Sequence, residues 1–375
     1  MSQVLEIDGS VLEGGGQILR ISISLSAILG IPVRVINIRA GRSKPGLAAQ
    51  HLKGIELVAD MCQAKLRGAS IGSTEIEFIP GKIRGGHYVA DPQTAGSISL
   101  LLQVALPCAL FADSLVTLDL KGGTNADMAP QIDYMERVFR RALRHFGADF
   151  NMFILKRGYF PKGGGHVRVE VIPVRSLRSI DLMERGTVKE VTGTSFVAGT
   201  LPVKLAHLMA EGARRELGSD VQIHCYQEDR QVAPHNCNGI IMSCTLSSGC
   251  VLGSDALGKR GVDATDVGRK AGEELRRALD SGACVDPHTQ DQLILYMTLA
   301  EGRSVVRAGD VTLHTKTAIH IAEIIAKVRA YAQNPTSIGC TNYVPCPLPL
   351  QLRNPLSYVG YSSSRTDLLI SDLIT

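Results

Sequence analysis

Two histidines lie six residues apart in the segment LHTKTAIHIAE. The run DVTLH alternates like a strand, and TAIHIAEIIAKV repeats apolar residues at helical spacing. His314 is therefore predicted in the turn before a helix, with Thr315 or Thr317 as its cap, and His320 on the helix itself. The positive helix end would disfavour a protonated imidazole at His314 and offer N–H groups to a phosphoryl group. His314 is a candidate nucleophile, and a turn histidine without chemistry is the alternative.

Glycine clusters and one basic loop are candidate anion sites. EGGGQILR (13–20) places three glycines at a helix start, and KGGTN (121–125) and PKGGGHV (161–167) add two clusters beside lysine. RAGRSKPGLAAQH (39–51) carries three basic residues in a loop that opens a helix. Glycine lets backbone N–H groups approach an anion, and a helix N-terminus favours negative charge. Tight turns and a solvated loop are the alternatives.

Several common catalytic motifs are missing from the sequence. GSDALGKRG (253–261) nearly matches a P-loop, but Arg260 stands where a Mg²⁺-binding Ser or Thr is required. The sequence contains neither GxSxG nor HExxH. The sequence therefore lacks the motifs that usually indicate three classes of protein, namely P-loop NTPases, serine hydrolases of the nucleophile-elbow type and zincins.

Composition narrows the class of protein further. The 375 residues are 45% hydrophobic and 20% charged with a net charge of +4, which predicts an ordered chain without a strongly basic coat. Trp is absent, so a long base-stacking platform is not expected. Nine scattered cysteines without CxxC indicate reduced thiols and disfavour zinc. The longest apolar run (97–112) is typical of a buried helix, so we expect no membrane partner. We expect the protein to reside in the cytoplasm or the nucleus.

The elements that must position these residues repeat along the chain. A strand, an apolar helix, a strand and a second helix appear from residue 5, return near 82–134, and return again near 259 with the second helix after VTLHTKT. A stretch with its own strands and helix delays the third copy. We predict four segments: 1–176 with the first two repeats, 177–259 as a small inserted α/β domain, 260–333 with the third repeat, and 334–375 as an atypical tail.

Ordered motifs along the chain resemble the RNA 3'-terminal phosphate cyclase family, from residue 4 to about 328. They are DGSVLEGGGQILR, IRAGRSKPGLAAQHL, STEIEFIPGKIRGG, TAGSISLLLQ, LKGGTNADMAPQIDY, RGYFPKGGGHV, LGKRGV and TQDQLILYMTLAEG with HTKTAI. The resemblance implies an α/β (α+β) fold, with three βαβαββ units forming one body and a small inserted α/β domain.

The resemblance also implies an activity. An RNA 3'-terminal phosphate would be converted to a 2',3'-cyclic phosphodiester through His–AMP and RNA–pp–A intermediates, with ATP and Mg²⁺ or Mn²⁺ as cofactors. RNA with a 3'-terminal phosphate would be the partner and the nucleus the location, with the cytoplasm as the alternative. The oligomeric state stays open. The implied roles are nucleophile for His314, metal contact for Glu13, phosphate or RNA contacts for Arg20, Arg39, Arg42 and Gln50, and nucleotide contacts for Gln103, Pro130, Asp291 and Gln292.

Two departures and two alternatives accompany this reading. The family continues past the His-bearing helix into a further strand, whereas residues 328–375 do not match, so the third unit is expected to lack its closing strands or to have them replaced by the tail. Pro287 and His288 stand where the family has acidic and aromatic residues. A non-catalytic cyclase-like RNA-binding protein of ribosomal RNA maturation is the main alternative, but that branch lacks the histidine. An enolpyruvyl transferase would need motifs that are absent.

Overall fold

A computed structural model describes residues 3–333 and 337–342. The first repeated unit is a four-stranded sheet in the order β1-β2-β4-β3, with β1 and β2 parallel and the other pairs antiparallel. Its elements are β1 (Leu5–Asp8), α1 (Gly16–Leu29), β2 (Val33–Ile36), α2 (Ala49–Cys62), β3 (Lys65–Arg67) and β4 (Ile76–Ile79). These bounds agree with the helices and strands predicted for this part of the sequence.

The second unit repeats the same strand order, β5-β6-β8-β7. Its elements are β5 (Gly86–Ala90), α3 (Ile98–Leu110), β6 (Val116–Gly122), α4 (Ile132–Tyr134), a π-helical stretch (Met135–Phe139), α5 (Arg140–His145), β7 (Asn151–Lys156) and β8 (Gly165–Val171). Helix α3 is the predicted buried helix, since most of its side chains, including Leu101 and Leu102, are fully covered. It packs against α1 and α2 between the first two sheets.

Two short strands, β9 (Leu177–Arg178) and β10 (Asp181–Leu182), precede a separate sheet. That sheet has the order β12-β11-β13-β14 and belongs to the inserted segment. Its elements are β11 (Val188–Ala198), α6 (Lys204–Leu217), β12 (Gln222–Gln227), β13 (Cys237–Leu246), β14 (Val251–Leu257) and α7 (Ala264–Asp280). Helix α7 packs on α6, β13 and β14.

The third unit follows with α8 (Pro287–Leu299), β15 (Ala300–Arg307), α9 (Leu313–Ala326), β16 (Arg329–Gln333) and β17 (Ser337–Asn342). Its sheet has the order β10-β15-β17-β16, with β9 also paired to β15. The strand order is again that of the first two units, which confirms the predicted fold of three βαβαββ units with an inserted α/β segment. Of the two expectations for the closing strands, loss is wrong, because β16 and β17 pair and complete the sheet. The other is met, since β17 lies in the segment that was predicted as the tail.

The strand pairing differs from the predicted division of the chain at two places. β9 and β10 pair with β15, so residues 177–182 belong to the third sheet although they were placed in the insert. α7 was placed in the third repeat, but it packs on the sheet of the insert. The role that α7 was expected to fill is taken by α8. Whether the segments fold as separate domains stays a prediction, and residues 343–375 of the tail lie outside the described residues.

Three further expectations concern the described residues. The eight cysteines among them are all free thiols. Within the same part of the chain, no helix has both the length and the apolar character needed to cross a membrane. The near P-loop at 253–261 spans the end of β14 and the turn after it and does not join a strand to a phosphate-binding helix, since α7 starts only at Ala264.

Candidate active site

The imidazole of His314 is held by hydrogen bonds that cross three helices. The Gln17 amide oxygen lies 2.7 Å from His314 Nδ1, and the Gln17 amide nitrogen donates to Asp291 Oδ2 at 2.6 Å. Because a carboxylate oxygen accepts hydrogen bonds, the side-chain NH₂ group of Gln17 faces Asp291. The side-chain oxygen of Gln17 is then the atom that accepts from His314. Nδ1 of His314 therefore carries the proton, and Nε2 presents an unprotonated lone pair. That arrangement suits a nucleophile.

His314 lies inside α9 and not in the turn before it. The helix begins at Leu313, and its cap is Thr312, whose Oγ1 accepts from the Thr315 N–H at 3.1 Å. The predicted turn position and the predicted caps are therefore wrong. Gln290 on α8 explains the shift, because its side-chain oxygen accepts from the Thr312 N–H at 3.1 Å and fixes that residue at the helix start. His314 is still in the first turn, where the free backbone N–H groups of the helix start can meet an anion.

The two histidines of this segment differ in environment. His320 lies in the middle of α9, as predicted, two turns from the helix start and without a hydrogen bond to Gln17 or Asp291 in the described part of the chain. His314 has both the helix N-terminus and the Gln17 contact. The geometry therefore distinguishes the two residues, because only His314 is oriented by this hydrogen bond at the helix start.

Glu13 lies beside this helix and has one unused oxygen. Its backbone N–H donates to Thr317 Oγ1 at 3.2 Å, and Oε1 forms an ion pair with Arg42. Oε2 is buried and has no hydrogen-bond partner among the described residues. A buried carboxylate oxygen without a partner is costly unless a cation or donor meets it, so Glu13 fits a divalent metal ligand.

The described residues offer few further ligands for such a metal. Among the described residues, no three or more His, Cys, Asp or Glu side chains are grouped so that they could hold an ion. Mg²⁺ commonly takes one or two carboxylates and fills its remaining positions with phosphate oxygens and water. Glu13 alone matches that pattern.

A cleft of about 380 Å³ adjoins the Gln17 bridge. Its polar side chains come from α1, α3 and α8, and its apolar ones could cover a flat ring. The lining residues are Gln17, Arg20, Ile21, Gln103, Pro107, Phe139, Asp291, Gln292, Leu295 and Tyr296. Three of the four predicted nucleotide contacts therefore meet here, namely Gln103, Asp291 and Gln292.

Pro130, the fourth predicted nucleotide contact, lies elsewhere. It is buried, and its carbonyl oxygen accepts from Ser99 Oγ at 2.6 Å near the start of α3. Within the described part of the chain, it lines neither this cleft nor the second one described below. This contact holds the loop before α4 against α3, and a nucleotide contact by Pro130 stays a prediction.

Charged groups in the first cleft oppose one another. Burial raises the pKa of Asp291, and neighbouring basic groups, among them Arg20, counteract this rise. Burial also lowers the pKa of Arg20, and the charges of Asp291 and Glu13 counteract that shift. Arg20 forms no ion pair within 4 Å among the described residues, so its guanidinium is available to an anion.

A second cleft of about 280 Å³ shares Arg20 with the first. It lies at the start of α1, where the N-cap is Gly15 and no side chain caps the helix. The lining residues are Gly16, Leu19, Arg20, Gln50, His51, Gly54, Ile55, Leu100 and Val104. A free helix N-terminus beside an arginine suits a phosphate group. Two predicted phosphate contacts, Arg20 and Gln50, thus meet in one cleft.

The remaining predicted phosphate contacts flank the clefts. Arg42 pairs with Glu13, as described above. The Nη1 group of Arg39 donates to the carbonyl oxygen of Gly46 at 2.8 Å, and this contact shapes the basic loop. Neither arginine lines a cleft in the described part of the chain, but the Arg39 charge acts on His51 across the loop.

His51 is a site residue that the sequence interpretation missed. Its Nδ1 accepts from the Ala48 N–H at 3.2 Å, so Nε2 carries the proton and faces the cleft beside Gly16. Burial, followed by the charges of Arg39 and Arg20, lowers the pKa of His51 to about 4. His51 is therefore a neutral hydrogen-bond donor at neutral pH. Its place at the end of the basic loop was the available signal.

Gln17 is the second residue that was missed. It is 4% exposed and directly follows the three glycines at the start of α1. Its partner His314 is 297 residues away in the sequence, so no local pattern connects the two.

Comparisons with known proteins agree with this fold. The model of the family described as RNA 3'-terminal phosphate cyclase matches residues 11–331. The chain is 43% identical to the Drosophila melanogaster protein named RNA 3'-terminal phosphate cyclase, over 87% of this chain and 92% of that protein. It is 41% identical to a protein of the same name from Pyrobaculum aerophilum, over 87% and 93%, and 42% identical to one from Archaeoglobus fulgidus, over 85% and 94%. The chain belongs to the RNA 3'-terminal phosphate cyclase family, which is a family of enzymes.

Proposed function

We propose that this protein uses ATP to convert an RNA 3'-terminal phosphate to a 2',3'-cyclic phosphodiester. The observation that carries the proposal is the hydrogen-bonded chain from Asp291 through Gln17 to His314, which leaves Nε2 of His314 free to attack phosphorus. Covalent catalysis of this kind divides one difficult displacement into easier ones.

In the first step, Nε2 of His314 attacks the α-phosphorus of ATP. A P–N bond forms, the bond to the β-phosphate oxygen breaks, and pyrophosphate leaves. The first cleft would hold the adenine ring, with polar contacts from Gln103 and Gln292 and the apolar wall around Tyr296. Arg20 would face the phosphates, since it lines both clefts.

In the second step, an oxygen of the RNA 3'-phosphate attacks the phosphorus of the His314 adduct. The P–N bond breaks, the imidazole leaves, and the RNA end becomes RNA–pp–A. In the third step, the vicinal 2'-OH attacks the terminal RNA phosphate, its proton is lost, and AMP leaves. The second cleft, with Gln50 and His51, would hold that RNA phosphate.

Glu13 would hold a Mg²⁺ or Mn²⁺ ion, because its buried second oxygen has no partner among the described residues. When bound, the ion would offset charge on the phosphate oxygens as the bonds to phosphorus change. Arg42, paired with Glu13, would keep the carboxylate in place.

The proposal is tested by labelling the protein with ATP that carries ³²P at the α-phosphate. We expect an acid-labile label on the intact protein and on His320→Ala, and none on His314→Ala. A label lost only in His320→Ala would overturn the choice of nucleophile. A folded intact protein without label would contradict the proposed activity and favour a cyclase-like RNA-binding role in ribosomal RNA maturation.

We also propose nuclear residence, which rests only on the family resemblance. Imaging of the tagged protein in cells of its own source would test it, and a purely cytoplasmic signal would contradict it.

A further inference from the structure

One loop, Gly158–Gly164, presents an aromatic ring to solvent. Phe160 at its tip is 80% exposed, and Lys162 two residues later is also exposed. Lys162 has no ion-pair partner among the described residues. The segment was noted in the sequence as a glycine cluster, but neither cleft uses it. An aromatic ring beside a free cation is the pairing that binds single-stranded nucleic acid.

The base of this loop is firmly held. Arg157 is buried and donates to Asp133 Oδ1 at 2.9 Å and to Glu228 Oε1 at 3.0 Å. Tyr159 is 1% exposed and stacks on Phe196 with ring centroids 6.3 Å apart. The tip is thus carried on an anchored stem, so that binding a ligand on Phe160 costs little ordering of the loop.

The loop is connected to the second cleft by direct backbone contact. A Cβ at Gly163 would lie 2.7 Å from the carbonyl oxygen of Thr94, so the two backbone segments are in contact there. A Cβ at Gly96, two residues on, would lie 3.2 Å from the Cβ of Gln50. Gln50 also accepts from the Ser97 N–H at 2.7 Å and lines the cleft. The loop therefore packs against residues 94–97, which in turn contact a residue of the cleft wall.

The positive charges near the loop and near the cleft favour binding of a polyanion. Lys121, at the end of β6, is 44% exposed and adds a second cation at the same end of the second sheet, where it lies 3.9 Å from Asp91. Arg20 and the helix N-terminus at Gly16 lie at the cleft end. Cations at the loop and at the cleft, together with the exposed ring of Phe160, match a strand whose last phosphate enters the cleft.

We propose that Phe160 stacks on a base of single-stranded RNA upstream of the phosphorylated 3' end, while Lys162 contacts the backbone. The inference rests on the proposed function, because it needs an RNA end in the second cleft. It gives the 158–164 loop a role in binding the RNA strand and no role in the chemical steps.

The test uses the full-length protein with Phe160→Ala, Phe160→Tyr, Lys162→Ala and the control Phe153→Ala. Phe153 is also exposed, but it lies on β7. Binding of a 5'-fluorescein RNA decamer with a 3'-phosphate is followed by anisotropy. Labelling by α-³²P-ATP and cyclisation of the decamer are measured in parallel.

We expect Phe160→Ala to weaken decamer binding roughly 5- to 150-fold, the range for loss of one stacked base, and to leave ATP labelling unchanged. Phe160→Tyr and Phe153→Ala should bind like the intact protein. Lys162→Ala should reduce the slope of log affinity against log salt by about one contact.

Unchanged decamer binding by Phe160→Ala would overturn the inference and leave the tip to another partner, such as a protein. Loss of ATP labelling in the same proportion would also overturn it, by making the loop part of the catalytic structure. If the intact protein neither labels nor cyclises, the proposed function fails, and the decamer binding of Phe160→Ala still decides the role of the loop.

Discussion

Gln17 and His314 meet through a 2.7 Å contact between the amide oxygen and Nδ1, although 297 residues separate them in the chain. The contact joins the first turn of α1 to the first turn of α9, which come from the first and third repeated units. It fixes which imidazole nitrogen is free. The site therefore depends on the packing of the repeats against one another.

Replacing Gln17 should reduce the rate of adenylylation more than it reduces the affinity for ATP. In Gln17→Ala the proton on Nδ1 loses its acceptor, so the reactive tautomer is no longer selected. We expect the rate of label formation to fall on the order of 10²–10⁴-fold, as when other orienting partners of histidine are lost. Gln222→Ala, at an exposed glutamine of β12, is the control. Labelling of Gln17→Ala at the rate of the intact protein would contradict this role.

Replacing Glu13 should weaken metal binding specifically. Glu13→Gln removes the charge that faces the ion, and we expect the Mn²⁺ affinity of the protein–ATP complex to fall about 10- to 100-fold. Electron paramagnetic resonance of free Mn²⁺, with an ATP analogue that cannot be cleaved between the α- and β-phosphates, measures this directly. Glu75→Gln, at an exposed glutamate paired with Arg34, should leave the affinity unchanged. Equal Mn²⁺ affinity in both variants would exclude Glu13 as a ligand.

His51 should make the stability of the fold sensitive to acid. Its pKa is lowered to about 4 in the folded chain, against an ordinary value of 6.5, so the unfolded chain takes up the proton first. The free energy of unfolding should therefore decrease as the pH falls from about 6.5 to about 4, by up to about 3 kcal/mol. Urea unfolding at several pH values measures the slope.

The matched variant for this measurement is His51→Gln. Its amide oxygen can still accept from the Ala48 N–H, but it does not titrate. We expect a flatter dependence on pH over the same window. If the variant keeps the slope of the intact protein, the proton uptake belongs to another group.

Gly268 should be required for the insert to pack. It lies where α7 crosses α6, and a Cβ there would lie 1.7 Å from the carbonyl oxygen of Met209. Gly268→Ala should force the helices apart and reduce the free energy of unfolding by about 1–3 kcal/mol. Gly41→Ala, where a Cβ meets open space, is the control for thermal unfolding. Similar unfolding of both variants would contradict a tight crossing.

The sequence carried much of the fold because its periodic patterns are local. The apolar spacing of Ile18, Ile21 and Leu25 marks the buried face of α1, and the continuous run around Leu101 marks a helix covered on all sides. Local patterns do not say which sheet an element joins. α7 lies where the first helix of the third repeat was expected, yet its glycines pack on α6. β10 is only two residues long, which is too short for a strand pattern in the sequence.

The same limit applies to the candidate site. Gln103, Asp291 and Gln292 converge as predicted, whereas Gln17 and His51 acquire their roles only from partners on distant elements. Roles that depend on one hydrogen bond across the fold could not be read from spacing.

The split third sheet also constrains how the chain folds during synthesis. Ile180 donates to Ser304 across 124 residues of sequence, whereas the first unit completes its sheet within residues 5–79. At about 5–20 residues per second, a ribosome needs roughly 6–25 s to supply the partner strand. During that interval the nascent chain carries β9 and β10 without β15. Because α9 follows β15 in the chain, the contact between His314 and Gln17 cannot form until that interval has passed.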